Sequence, residues 1–143
     1  MFQLFDIGGV FLATVAAYLA GFAWYSKILW QKPWMEAIGN TNDNAPKNVR
    51  EFARVMVYGF LATFAVALGV KTLLLLFVPD SLTTALELVL VMVFTFGVTT
   101  KFMEMIYESK DPNWSKKPQL LFLIGSGHLI VSALIITTVL WYL

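Results

Sequence analysis

Cysteine is absent from this chain. Its absence removes disulfide exchange, thiolate nucleophiles and thiolate-ligated metals in one step, since each needs a sulfur that can lose its proton. Histidine occurs once, as His128, so a bis-histidine haem or a histidine-rich metal cluster within one chain is excluded, and any such site would need a second subunit. Charge is scarce as well: Asp, Glu, Lys and Arg make up 13% of the residues, about half the usual share for a soluble domain. The net charge of +1 argues against a dedicated nucleic-acid binder. There is no phosphate-binding loop, zinc-protease helix or nucleophile elbow. The asparagine-rich "GNTNDNAP" at 39–46 lacks the spacing and terminal glutamate of a calcium loop and reads as a polar turn. With no convergent acid, base and nucleophile and no cofactor motif, the expectation is a protein that is not an enzyme and carries no cofactor or metal.

What the chain has instead is apolar length. Hydrophobic residues reach 59% and mean hydropathy is +0.73. Four long apolar runs can be drawn at about 7–25, 53–78, 82–101 and 119–142, each near or above the ~20 residues that cross a ~30 Å hydrocarbon core as a helix. Spanning strands need only ~10 residues and a period-2 alternation, which these runs lack. The expected fold is an all-α integral membrane protein: one domain over 1–143, four transmembrane helices in two antiparallel hairpins, with connecting loops at 26–52 and 102–118. The flank "MFQLFD" has no basic residue, unlike a cleaved signal peptide, so the first run is expected to stay as helix 1.

Nine of the ten basic residues lie in or beside the two loops: Lys27, Lys32, Lys47, Arg50 and Arg54 in the first, and Lys101, Lys110, Lys116 and Lys117 in the second. The N-terminus, the "VPDS" turn at 78–81 and the C-terminus carry none. By the positive-inside rule both loops are expected in the cytoplasm and both termini outside, the basic residues facing anionic lipid.

The stretch "GFAWYSKILWQKPWM" at 21–35 holds three tryptophans and a tyrosine. Trp24, Tyr25, Trp30 and Trp34 fall where helix 1 meets the membrane surface, and such part-polar rings concentrate at headgroup depth. Trp141 and Tyr142 give the matching belt at the other side. Pro33 should stop a helix near Gln31 or Lys32, and "PWMEAI" can begin a short interfacial helix with proline in its first turn. Together with "LWYL" at the end of the last helix, this stretch resembles the bacterial family catalogued as domain of unknown function 1761. The resemblance rests on Gly21, Trp24, Tyr25, Ser26, Lys32, Trp34 and Met35. It implies a small four-helix inner-membrane protein and implies no activity.

Gly9, Ala13, Ala17 and Gly21 recur every four residues along helix 1, a pattern that lets a second backbone approach closely. Helix 2 has a comparable strip in Gly59, Ala62, Ala65 and Gly69. The two strips could meet each other within the bundle, or one could form a contact between copies.

Ionisable residues within spans are costly and therefore candidates for function. Lys71 and Glu87 lie seven and six residues from the turn residues Val78 and Ser81, about 10 Å and 9 Å deep at 1.5 Å per residue, so they could pair across the hairpin. The alternative is a lysine that snorkels outward and a hydrated carboxyl. His128, nine residues into helix 4 within "GSGHL", is either a proton carrier or ligand, or a neutral imidazole bonded to a neighbouring helix. Lys101, Glu104 and Glu108 share one helical face. "WQKP" at 30–33 and "WSKKP" at 114–118 form a weak echo that either a parallel repeat or interface composition would give. The leading expectation is a structural or accessory subunit that packs as a homo-oligomer or within a larger membrane complex, with lipid and protein partners and no nucleic acid. The alternative is a small transporter or channel using Lys71, Glu87 and His128.

Overall fold

The computed structural model describes residues 6–39, 48–108 and 117–143, and among these every regular element is helical. α1 spans Ile7–Trp24, α2 Gln31–Ala37, α3 Val49–Phe77, α4 Leu82–Met92, α5 Thr99–Glu108 and α6 Pro118–Tyr142, with a π-helical stretch, Val93–Val98, joining α4 to α5. Four segments are long and apolar enough to cross a membrane: Ile7–Trp24, Val49–Phe77, Leu82–Tyr107 and Pro118–Tyr142.

Local chemistry sets the ends. The Asp6 carboxylate accepts from the Gly9 N–H at 2.9 Å and caps α1. Asn48 caps α3 by accepting from the Glu51 N–H at 2.9 Å and donates back to the Glu51 carboxylate at 3.2 Å, so α3 starts four residues before the apolar run expected from position 53. Ser81 caps α4 through the Thr84 N–H at 3.2 Å. Pro118 opens α6 at a position where its missing N–H costs nothing. α2 begins two residues before Pro33 and holds that proline in its first turn. The polar turn expected at 39–46 lies outside the described residues except for Gly39, as do the first three residues of "WSKKP" and the side chain of Glu108.

α6 is the centre of the molecule. It packs most extensively on α1 and also touches α2, α3, α4, the π stretch and α5, whereas α3 and α4 make little contact with each other despite their short connection. A single apolar core joins four helices: Val10, Ala13 and Ala17 of α1; Ala67, Val70 and Leu74 of α3; Ala85 and Val89 of α4; Ala133, Ile136 and Leu140 of α6. In α3 and α4 these residues lie toward the turn at 78–81, so the tight core occupies the turn end of the bundle. At the loop end, aromatic and polar groups fill the space between helices.

The two small-residue strips do not meet. Gly9, Ala13 and Ala17 are buried inside the chain, but on α3 Ala62, Ala65 and Gly69 are exposed. The buried residues of α3, namely Ala67, Val70, Lys71 and Leu74, lie on the opposite face at 3.6 residues per turn. Only Gly59 looks inward: a Cβ there would come within 3.4 Å of the Tyr18 hydroxyl, which donates to the Met56 carbonyl at 2.7 Å. Gly97, in the π stretch, lets Leu129 of α6 come so close that a Cβ would meet it at 2.5 Å.

Candidate functional site

At the loop end, α1 and α6 converge on His128. Gly21 makes this possible, because a Cβ there would stand 2.9 Å from the imidazole Nε2. The same nitrogen lies 3.3 Å from the Ser132 hydroxyl one turn along α6. The Tyr25 ring stacks at an angle over the imidazole at 5.1 Å, and the Trp24 ring lies at 6.4 Å. Burial pushes the Tyr25 hydroxyl above its ordinary value, so it stays a neutral phenol.

Trp24 is not simply a belt residue. Its indole N–H donates to the Ile124 carbonyl of α6 at 3.2 Å, and its ring fills the space that a Cβ on Gly127 would occupy at 2.8 Å. Trp30 packs on it at 5.9 Å and Trp34 packs on Tyr25 at 5.3 Å, while Trp30 itself remains 39% exposed. The Ser26 carbonyl accepts from the Leu29 and Gln31 N–H groups and shapes the turn into α2. Lys32 is exposed and Met35 half-buried. α2 is tied to the start of α6 by the Lys117 N–H, which donates to the Ala37 carbonyl at 2.8 Å, and by the exposed Lys117 and Glu36 charges 3.8 Å apart.

The glycines of "GSGHL" therefore serve neighbours other than His128. Gly127 admits Trp24, and Gly125 admits Lys101 of α5, whose amino group would lie 3.5 Å from a Cβ at that position. Ser126 between them is buried, and its hydroxyl has no hydrogen-bond partner among the described residues. Toward the helix ends, Lys101 opens onto a cleft of about 140 Å³ lined by Glu104, Met105, Pro118, Leu121 and Phe122.

The three intramembrane candidates are not brought together. Lys71 is buried and pairs with Asp6, Nζ to Oδ2 at 3.8 Å, in place of the cross-hairpin pairing expected with Glu87. Glu87 is exposed on α4. The reason is topological: α1 packs beside α3 while α4 packs on α6, so matched depth on consecutive helices does not imply contact. Asp6 and Gly21 are fifteen residues apart, which separates the Lys71 pair from His128 by about 22 Å along α1. Among the described residues, no group of three or more His, Cys, Asp or Glu side chains is placed to hold a metal ion.

The residues that sequence reasoning missed are Asp6, Lys101 and Ser132. Asp6 stands at the edge of an apolar run, and nothing in the sequence points to its partner on α3. In the sequence Lys101 reads as a basic residue of the second loop and as part of a charged helical face, not as a residue seated between helices.

The family model described as "Protein of unknown function (DUF1761)" matches residues 9–141, nearly the whole chain. The chain belongs to this family. The DUF1761 match takes in Gly21, Trp24, His128 and Lys101 alike, so the aromatic cluster and the cleft both lie within it. No curated protein and no solved structure matches the chain.

Proposed function

We propose that this DUF1761 protein is a non-catalytic membrane subunit that assembles in the bilayer with copies of itself or within a larger membrane complex. In a bacterial inner membrane its two loops would be cytoplasmic and its termini periplasmic. The observation that carries the reading is the exposed strip Ala62, Ala65 and Gly69 on α3, which points away from the chain's own core. Small residues in a row give lipid little to pack against and give a second helix close backbone approach. Glu87 adds to this, because an exposed carboxylate five residues into α4 is costly against lipid and is relieved by a covering chain. The alternative, a transporter or channel through Lys71, Glu87 and His128, is weakened by the separation of the three groups and by the engagement of Lys71 with Asp6.

The test is the stoichiometry of particles extracted from native membranes with minimal detergent. The reading expects more than one copy of this chain per particle, or a fixed second polypeptide. A single copy alone, stable and complete at native expression level, would contradict it.

A further inference from the structure

The cleft at the loop end carries two opposite charges that do not neutralise each other. Lys101 and Glu104 lie one turn apart on α5, a spacing at which such side chains commonly pair, yet neither forms an ion pair or hydrogen bond among the described residues. The Lys101 stem is half-buried, and its amino group rests against Gly125, seven residues into α6. A lysine at this depth ordinarily extends toward water. Here the missing side chain of Gly125 gives it a seat between the helices instead.

The other walls have their own chemistry. Pro118, the first residue of α6, brings no N–H, and the Lys117 and Leu120 N–H groups are taken by the Ala37 and Lys117 carbonyls, so the group in the cleft that attracts an anion is the Lys101 ammonium. Met105, Leu121 and Phe122 supply apolar surface, and the Phe102 ring, edge-on to Phe122 at 5.7 Å, holds that wall in place. The volume of about 140 Å³ is roughly ten times what a single water requires. Glu104 lies four residues from the end of α5, about 6 Å from the helix terminus. The 25-residue α6 is about 37 Å long and exceeds a ~30 Å hydrocarbon core, so its ends extend past the core; the cleft mouth at Pro118 stands at one such end, and the Lys101 seat at Gly125 lies about 10 Å further in.

We propose that this cleft binds the headgroup of an amine-bearing zwitterionic phospholipid, with the phosphodiester on Lys101 and the ammonium on Glu104. A purely anionic headgroup would satisfy Lys101 and meet repulsion at Glu104. A choline headgroup would satisfy the charge of Glu104 but has no N–H to donate to it. The primary ammonium does both.

The experiment uses the full chain, purified in detergent, with native mass spectrometry of lipid adducts. The probes are phosphatidylethanolamine, phosphatidylcholine and phosphatidylglycerol of identical acyl composition. The ethanolamine lipid should bind best, and Lys101→Gln should weaken it about tenfold, the loss of one charge-assisted contact. Glu104 is exposed, so Glu104→Gln should leave the fold intact, abolish the preference over choline and raise binding of the glycerol lipid. Equal binding of all three lipids by the unaltered chain, or an unchanged ranking in Glu104→Gln, overturns the proposal. Soluble glycerophosphoethanolamine at matched concentration should compete weakly. Full displacement by it overturns the assignment to a lipid.

Discussion

A single indole hydrogen separates two roles for the tryptophans at 24 and 30. Trp24 donates across the interface to the Ile124 carbonyl and fills the notch left by Gly127, whereas Trp30 lies against it from outside and is part-exposed. Trp24→Phe removes the hydrogen bond and part of a ring packed between helices, so it should lower stability by about 1–3 kcal/mol. Trp30→Phe should stay within about 0.5 kcal/mol, as a surface change that keeps most of its ring contact. Thermal unfolding in one detergent compares the two directly, and equal losses would return Trp24 to the role of a headgroup anchor. Gly21→Leu should be worse than either, since its side chain would enter the space of the His128 ring. The aromatic cluster was legible in the sequence as a concentration of rings at a helix end. The direction in which each ring points was not, because rings at the end of one helix and in the turn after it take their orientation from the neighbouring helix.

Between elements, the informative contact is α1 on α3 through Asp6 and Lys71. Lys71 is almost wholly buried while Asp6 keeps access to solvent, and Asp6 also caps α1, so one carboxylate fixes a helix start and receives a buried charge. Lys71→Met would leave Asp6 its cap, and Asp6→Asn would remove the Asp6 charge that faces Lys71. A double-mutant cycle on these two changes should give a coupling of about 1 kcal/mol or more, and the same cycle on Lys71 and Glu87 should give a value near zero. Coupling to Glu87 of equal size would show that Lys71 and Glu87 meet across the turn between α3 and α4. Hydropathy gave the first, second and fourth spans to within four residues, but the third runs on to Tyr107 instead of ending near 101, because the amphipathic turn from Lys101 onward continues the helix beyond the apolar run. Hydropathy carried no information on which helix lies beside which. The π stretch at Val93–Val98 was equally hidden, because its apolar sequence, "VFTFGV", suits an α-helix as well. Its signal is Gly97 pressed against Leu129, a feature of the partner helix.

At the scale of the whole molecule, one chain leaves much of its own packing potential unused. α6 collects the contacts of the other helices, the tight core stays at the turn end, and the strip on α3 faces away from it. The lack of native cysteine turns this arrangement into a clean measurement. Single cysteines at Ala62, Ala65 and Gly69 probe the strip, while cysteines at Leu19 of α1 and Leu123 of α6, both more than half exposed, probe other outward faces of the bundle. Each variant is oxidised in native membranes and read as covalent dimer on a denaturing gel. If the chain assembles with its own copy through α3, the three strip positions link, and Leu19 and Leu123 do not, because only at the strip do two backbones come within the 4.4–6.8 Å that a disulfide spans between Cα atoms. Equal linking at all five positions, or none at the strip in particles that hold several copies, would contradict the account.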